Sequence, residues 1–141
     1  MIGALLRMPV DAVWGRILSR LHEAGFTDMV PAHFAVMRWP GPQNRRPSDL
    51  AKEAGMTKQA LNYLLQQLEE LGYLTREDDP DDRRSKRVQL TERGYAVARN
   101  IRGTVRQIER EWKRELGPVQ FERLQQLLLE LNDTKLVRDQ R

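Results

Sequence analysis

The sequence predicts a mainly α-helical chain carrying one small β-hairpin, an α+β fold, and three observations lead there. Apolar residues recur at three- and four-residue spacings along most of the 141 positions, the period of a helix with one buried face. Residues 73–90 break that rhythm, alternating on either side of a turn-rich charged run. Gly25, Gly55, Gly72 and Gly117 stand where the helical patterns stop, as helix-ending residues do.

Taken in order, Val10, Val13, Trp14, Ile17, Leu18 and Leu21 predict an amphipathic helix from Pro9 to Ala24, closed by Gly25. A shorter helix starts near Pro31, turns Phe34 and Met37 inward and stops at Trp39, because Pro40 and Pro42 cannot continue it. PGPQNRRP, residues 40–47, reads as a loop. Ser48 then caps a short helix through Leu50 and Ala51 that Gly55 ends, and Thr57 caps the next, with Met56 and Leu61 as a hydrophobic staple across its start. After Gly72, Tyr73–Arg76 and Arg87–Leu90 form a hairpin around DDPDDRR, with Leu74 facing Val88 and Leu90. Leu90 and Thr91 restart a helix whose apolar stripe runs Tyr95, Ala98, Ile101, Val105, Ile108, Trp112. Gly117-Pro118 breaks it, and Phe121, Leu124, Leu127, Leu128 and Leu131 mark a final helix.

Composition removes several classes of function. The chain contains no cysteine, so disulfides, thiolate catalysis, thiolate-bound zinc and thiol redox sensing are excluded. Its histidines, His22 and His33, are too few for an all-histidine metal site, and no phosphate-binding glycine loop or nucleophile elbow occurs. No catalysis, metal or cofactor is expected. No window nears the roughly 18 apolar residues of a membrane span, so a soluble cytoplasmic protein without membrane contact is expected. The net charge of +4 decides little, and residues 44–90 hold 9 basic and 9 acidic side chains. Placement must decide instead.

Helix, glycine turn, helix and hairpin with a charged tip is the order of a winged helix-turn-helix, whose second helix enters the DNA major groove. At 100° per residue, Lys58, Asn62, Gln66, Gln59 and Tyr63 span about 0 to 140°, and Leu71, Leu64, Leu68, Leu61 and Leu65 about 220 to 340°. The polar face either solvates an amphipathic helix or addresses base edges. Glu69 and Glu70 lie about 16 to 18 Å beyond Lys58, which leaves the N-terminal turns free of carboxylates. At the hairpin tip, Asp78, Asp79, Asp81 and Asp82 make a poor DNA surface, but Arg83, Arg84, Lys86 and Arg87 follow at once. The tip is either a solvated turn bent by Pro80 or an arginine probe for a narrow minor groove.

Residues 46–94, RPSDLAKEAGMTKQALNYLLQQLEELGYLTREDDPDDRRSKRVQLTERG, resemble the DNA-binding core of MarR-type transcriptional regulators. The resemblance rests on Asp79, Pro80, Asp81, Asp82, Arg83 and Arg84 of the wing, then Leu90, Thr91 and Gly94. More loosely, as helix order and length only, it extends from about residue 9 to about residue 131. It implies a homodimer with intertwined first and last helices, two wings reading a pseudo-palindromic operator in double-stranded DNA, Arg84 as the tip arginine with Asp82 orienting it, and Lys58, Gln59, Asn62 and Tyr63 facing the groove. Independently, the apolar faces of the first and last helices exceed what a small winged domain needs, so they pack on a second chain or within their own. Asn62-Tyr63 departs from a Thr-Arg pair of many relatives, so base preference does not carry over.

The family resemblance further implies release of DNA on binding a small aromatic or anionic effector, for which Trp14, His33, Phe34, Met37 and Trp39 are candidates as pocket residues or as core. Arg99, Arg102, Arg106, Arg110 and Arg114 form a basic stripe on the long helix, either solvated with local pairs such as Arg106 to Glu109 or touching flanking phosphates. The expected division is an N-terminal dimerisation helix (1–30), a winged helix-turn-helix (31–94) and a long helix with a C-terminal dimerisation helix (95–141). The function read from the sequence is a sequence-specific, ligand-responsive transcription regulator, a repressor. The alternative is a winged-helix dimerisation or accessory module that does not read DNA.

Overall fold

A computed structural model of the chain describes residues 1–139. Helix α1 (Ile2–Glu23) leads through a 3₁₀ turn (Pro31–His33) into the single-turn α2 (Phe34–Met37). Then come α3 (Pro47–Ala54), α4 (Lys58–Glu70), strands β1 (Leu74–Asp79) and β2 (Asp82–Leu90), the long α5 (Glu92–Leu116), α6 (Pro118–Asp133) and the short α7 (Lys135–Arg138). The expected winged helix-turn-helix is this arrangement: α3 and α4 form the helix pair, and the antiparallel hairpin β1–β2 is the wing.

The core is centred on α4. Leu61, Leu65 and Leu68 are fully buried and Leu64 nearly so, each contributing about 1.5–3 kcal/mol by leaving water. They pack with Ile17 and Leu21 of α1, Phe34, Val36 and Met37 of α2, Leu50 and Ala51 of α3, and Leu74 and Val88 of the wing. Trp14 stacks on Phe34 with centroids 4.8 Å apart. Thr57 caps α4 as its sequence context predicts, its Oγ1 accepting from the Ala60 N–H at 3.1 Å. Gly55 takes the left-handed φ of 64° that ends α3.

Several boundaries differ from the sequence expectation. Helix α1 starts at Ile2 and carries Pro9 in its interior; Ala4, Leu5, Leu6 and Met8 are good helix formers and hold the turns before it. The next helix stops at Met37, two residues before Trp39, and its first turn is 3₁₀. Helix α3 begins at Pro47 with Arg46 as the capping residue, not Ser48, because proline at the first helical position needs no N–H partner. The hairpin absorbs most of the charged run: the strands pair from Leu74↔Leu90 to Asp78↔Lys86 and, past a bulge that leaves Arg83, Arg84 and Ser85 unpaired in the register, at Asp79↔Asp82, with Pro80 and Asp81 as the turn between them.

The apolar stripe of α5 holds at Ile101 and Val105, which pack on the core, and at the buried Ile108, but the buried face is wider than the stripe and shifted at its start. Gly94, Val97, Thr104 and Ile108 are buried, whereas Tyr95 is 40% exposed. Small residues make this possible. A Cβ at Gly94 would lie 2.0 Å from the Tyr73 carbonyl oxygen, so glycine lets α5 touch the root of the wing. Thr104 is buried at little polar cost because its hydroxyl donates to the Asn100 carbonyl at 2.9 Å. Arg16 grips Glu111 through two hydrogen bonds of 3.3 and 3.0 Å and clamps α1 onto α5. Phe121 is the one buried apolar residue of α6; Leu124, Leu127, Leu128 and Leu131 are exposed on the single chain, as are Ile2, Leu5, Leu6, Met8 and Val10 of α1.

Candidate nucleic-acid interface

Helix α4 turns its polar face outward. Lys58, Gln59, Asn62, Tyr63 and Gln66 are all exposed, Tyr63 to 63%. Among the described residues, Lys58, Gln59 and Asn62 have no side-chain partner, so their donors and acceptors are available to a ligand. The C-terminal end is occupied instead. Glu69 pairs with Arg76 at 2.9 Å, and Glu70 accepts from Gln66 Nε2 at 3.2 Å. Carboxylates near the far end are thereby partly neutralised, and the N-terminal turns carry none.

The wing rests on a buried carboxylate. Asp79 was expected on the acidic surface of the tip, but its side chain is fully buried and surrounded by donors. Arg46 Nε lies 2.8 Å and Arg87 Nε 3.0 Å from its Oδ2, and its Oδ1 accepts from the Asp81 N–H at 2.9 Å. The Asp81 hydrogen bond, against the opposing effect of burial and aided by Arg87 and Arg46, holds its pKa down at about 2. Arg87 also donates to the Asn44 carbonyl at 2.8 Å. Residues 44 and 45 add two backbone bonds to Val88, of 2.7 and 2.9 Å, so the segment read as a loop is stitched to β2. Sequence reasoning missed this role of Arg46, Asp79 and Arg87; the arginine of NRRP next to a helix start was the available signal.

At the tip, Arg83 and Arg84 are exposed, and among the described residues neither guanidinium has a partner. The Asp82 carboxylate accepts from the Arg84 backbone N–H at 3.0 Å. It thus fixes the turn that presents Arg84 and leaves the guanidinium free. Lys86 is paired with Asp78 at 2.6 Å, both well exposed, a contact worth roughly 0–1 kcal/mol that a phosphate could replace.

Behind the wing, the Tyr73 hydroxyl donates to Asp28 Oδ1, and Arg93 Nη2 donates to Asp28 Oδ2 at 3.0 Å. Arg93 also lies over the Tyr73 ring, 4.2 Å from its centroid. Burial pushes the Tyr73 phenol up, and its bond to Asp28 adds to the rise. Burial opposes the Asp28 charge, but the bonds from Tyr73 and Arg93 outweigh it and keep that carboxyl below its ordinary value.

The five candidate effector residues do not share one cavity. Trp14 and Phe34 line a cleft of about 630 Å³ together with Tyr63 of α4. Met37 and Trp39 line another, of about 580 Å³, against α5. His33 lies in neither; it is buried, accepting the Val30 N–H at Nδ1 (3.2 Å) with Nε2 3.2 Å from Gln67 Oε1. Trp39 is 89% exposed. The pair expected between Arg106 and Glu109 is not formed among the described residues.

Comparison with known proteins agrees with this geometry. The model of the MarR family matches residues 28–85. A transcriptional regulator of Thermotoga maritima is 25% identical, with 99% of this chain and 97% of that one covered and a TM-score of 0.62. A MarR family protein of Mycobacterium tuberculosis, in complex with salicylic acid, is 25% identical over 93% of this chain and 96% of its own, with a TM-score of 0.65. The transcriptional repressor CouR bound to a 23-mer DNA duplex is similar in fold, with 24% identity, 93% and 92% of the two chains covered and a TM-score of 0.71. Among the described residues no helix is long and apolar enough to cross a membrane.

Proposed function

The chain belongs to the MarR family of winged-helix transcription regulators, and from that premise we propose that it binds a pseudo-palindromic operator in double-stranded DNA as a homodimer and represses transcription in the cytoplasm. The observation that carries the proposal is the unpartnered polar face of α4 at Lys58, Gln59 and Asn62, on the same winged unit as the free guanidinium groups of Arg83 and Arg84. In this reading α4 lies in the major groove, where Lys58, Gln59, Asn62, Tyr63 and Gln66 address bases and phosphates. Arg84 enters the minor groove from the tip, with Arg83 and Lys86 on the backbone. Residues 1–30 and 95–141 act as dimerisation segments, since the exposed leucines of α6 and the apolar start of α1 form faces that a second copy would cover.

Ligand response belongs to the same proposal. A regulator of this kind changes its affinity for DNA only if a ligand binds its two states unequally. The Trp14–Phe34 cleft supports such a role because Tyr63 of the reading face forms part of its wall. The test is selection of bound duplexes from a random DNA pool. Enrichment of an inverted repeat that Arg84→Ala weakens is expected; a pool without enrichment overturns the reading and favours a dimerisation module.

A further inference from the structure

The basic stripe of α5 stays open in the folded chain. At 100° per residue, the solvent side of α5 from residue 99 to residue 114 is an arc of about 120° that holds Arg99, Arg102, Arg106, Arg110, Lys113, Arg114 and Gly103 and nothing else. All of them are exposed. Lys113 pairs with Glu122 at 3.5 Å, but among the described residues Arg99, Arg102, Arg106 and Arg110 have neither a hydrogen-bond nor an ion-pair partner. The carboxylates of the same helix do not neutralise them. Glu111 is held by Arg16 of α1 at 3.0 Å, and Glu109, at the border of the arc, pairs with none of the four. A solvated helix face interleaves the two signs of charge, and this one does not. Gly103 is a second, independent observation: inside a helix of 25 residues glycine is disfavoured against alanine, yet nothing lies within 4 Å of the place its Cβ would take. Packing inside the chain does not call for it, whereas a bare patch among arginines lets an outside backbone come close.

We propose that this face of α5 is a second contact surface for the backbone of duplex DNA, independent of base sequence and separate from α4 and the wing. The four unpaired arginines run about 16 Å along the helix axis, the length of about five phosphates on one strand, and each guanidinium offers paired N–H donors to phosphate oxygens. The arc carries no apolar anchor of the kind that centres a protein interface, and no aromatic ring on which the bases of a single strand could stack. A second copy is not the occupant either, because burying four uncompensated charges against their own kind is costly. The biological meaning of the surface rests on the DNA-binding reading above. Its consequence would be attraction to DNA outside the operator.

Fluorescence anisotropy of the full chain with a labelled random-sequence duplex, across a salt series, tests the proposal. Joint Arg99→Gln, Arg102→Gln, Arg106→Gln and Arg110→Gln replacement should reduce the slope of log affinity against log salt by about 3 to 4, and the same four positions changed to Lys should keep most of the slope. The motif enriched from a random duplex pool should be the same for the native chain and the Gln variant. Circular dichroism verifies the fold of both variants, whose changed side chains are all exposed. An unchanged slope in the Gln variant, an equal loss in the Lys variant, or a motif altered by the Gln replacements would each overturn the proposal. Tighter binding of a single-stranded oligonucleotide that depends on the four arginines would overturn it in favour of a single-strand surface. Failure of the operator reading is a distinct result, because it shows as a pool without enrichment, whereas the salt series contains no operator.

Discussion

Arg46, at the mouth of α3, reaches 33 positions along the chain to donate through Nε to Asp79 Oδ2 at 2.8 Å. Arg87 meets the same oxygen from β2, so one carboxylate joins the helix pair to the wing. Folding depresses the Asp79 pKa from 3.8 to about 2. The stabilisation from this group is therefore complete above pH 3.8 and is lost as pH falls toward 2. Asp79→Asn should lower the melting temperature at pH 7 and should remove that acid-dependent component. Melting curves from pH 5 to pH 2 that fall in parallel for the two proteins would refute the assignment.

Arg84→Ala should weaken operator binding and reduce the slope of log affinity against log salt by about 1, the signature of one lost phosphate or groove contact. Fluorescence anisotropy across a salt series measures both quantities. An unchanged slope and affinity would remove Arg84 from the interface.

Asn62 is exposed without a side-chain partner, and its amide can address an adenine edge in two directions. Asn62→Ala should cost about 1–3 kcal/mol at one base position and less at others, so motifs selected by the two proteins should differ at that position. Identical motifs would place Asn62 off the reading surface.

Gly94 and Gly103 make a matched pair on α5. At Gly94 an added methyl meets the Tyr73 carbonyl, whereas at Gly103 nothing lies within 4 Å. Gly94→Ala should destabilise by about 1–3 kcal/mol through overpacking; Gly103→Ala should stabilise by up to about 1 kcal/mol through helix propensity. Urea unfolding of both variants measures the contrast, and equal effects would contradict the close approach of α5 to the wing root.

Leu128 is exposed on a single chain and belongs to the apolar face of α6. Leu128→Glu should shift sedimentation from dimer toward monomer and should reduce operator affinity with it. A native assembly state in this variant would exclude that face from the interface.

What the sequence made legible was local. The leucine face of α4, the Thr57 and Thr91 caps and the Gly55 break each depend on residues within a few positions of one another, and they stand where the pattern puts them. The longer wing was hidden because its strands are built from Asp, Glu, Arg and Lys, which resemble a solvated turn until each has a cross-strand partner. Asp79 became intelligible only with Arg46 beside it, a pairing no local window contains. Part of the buried face of α5 was missed for another reason: Gly94 and Thr104 are not hydrophobic, yet small size and a satisfied hydroxyl let them sit where large apolar residues would not fit. The candidate reading face of α4 was visible in advance as polarity, and the structure adds which of its groups are free.

The triad of Asp28, Tyr73 and Arg93 has a mechanical consequence. It bolts the segment after α1, the foot of the wing and the first turn of α5 into one rigid corner. A helix of 25 residues starts from that corner, so the direction in which α5 leaves the winged unit is tied to the foot of the wing through Arg93 and Tyr73. The spacing between two wings in a dimer would thus be set by the angle of α5, and anything that wedges against this helix gains leverage over both.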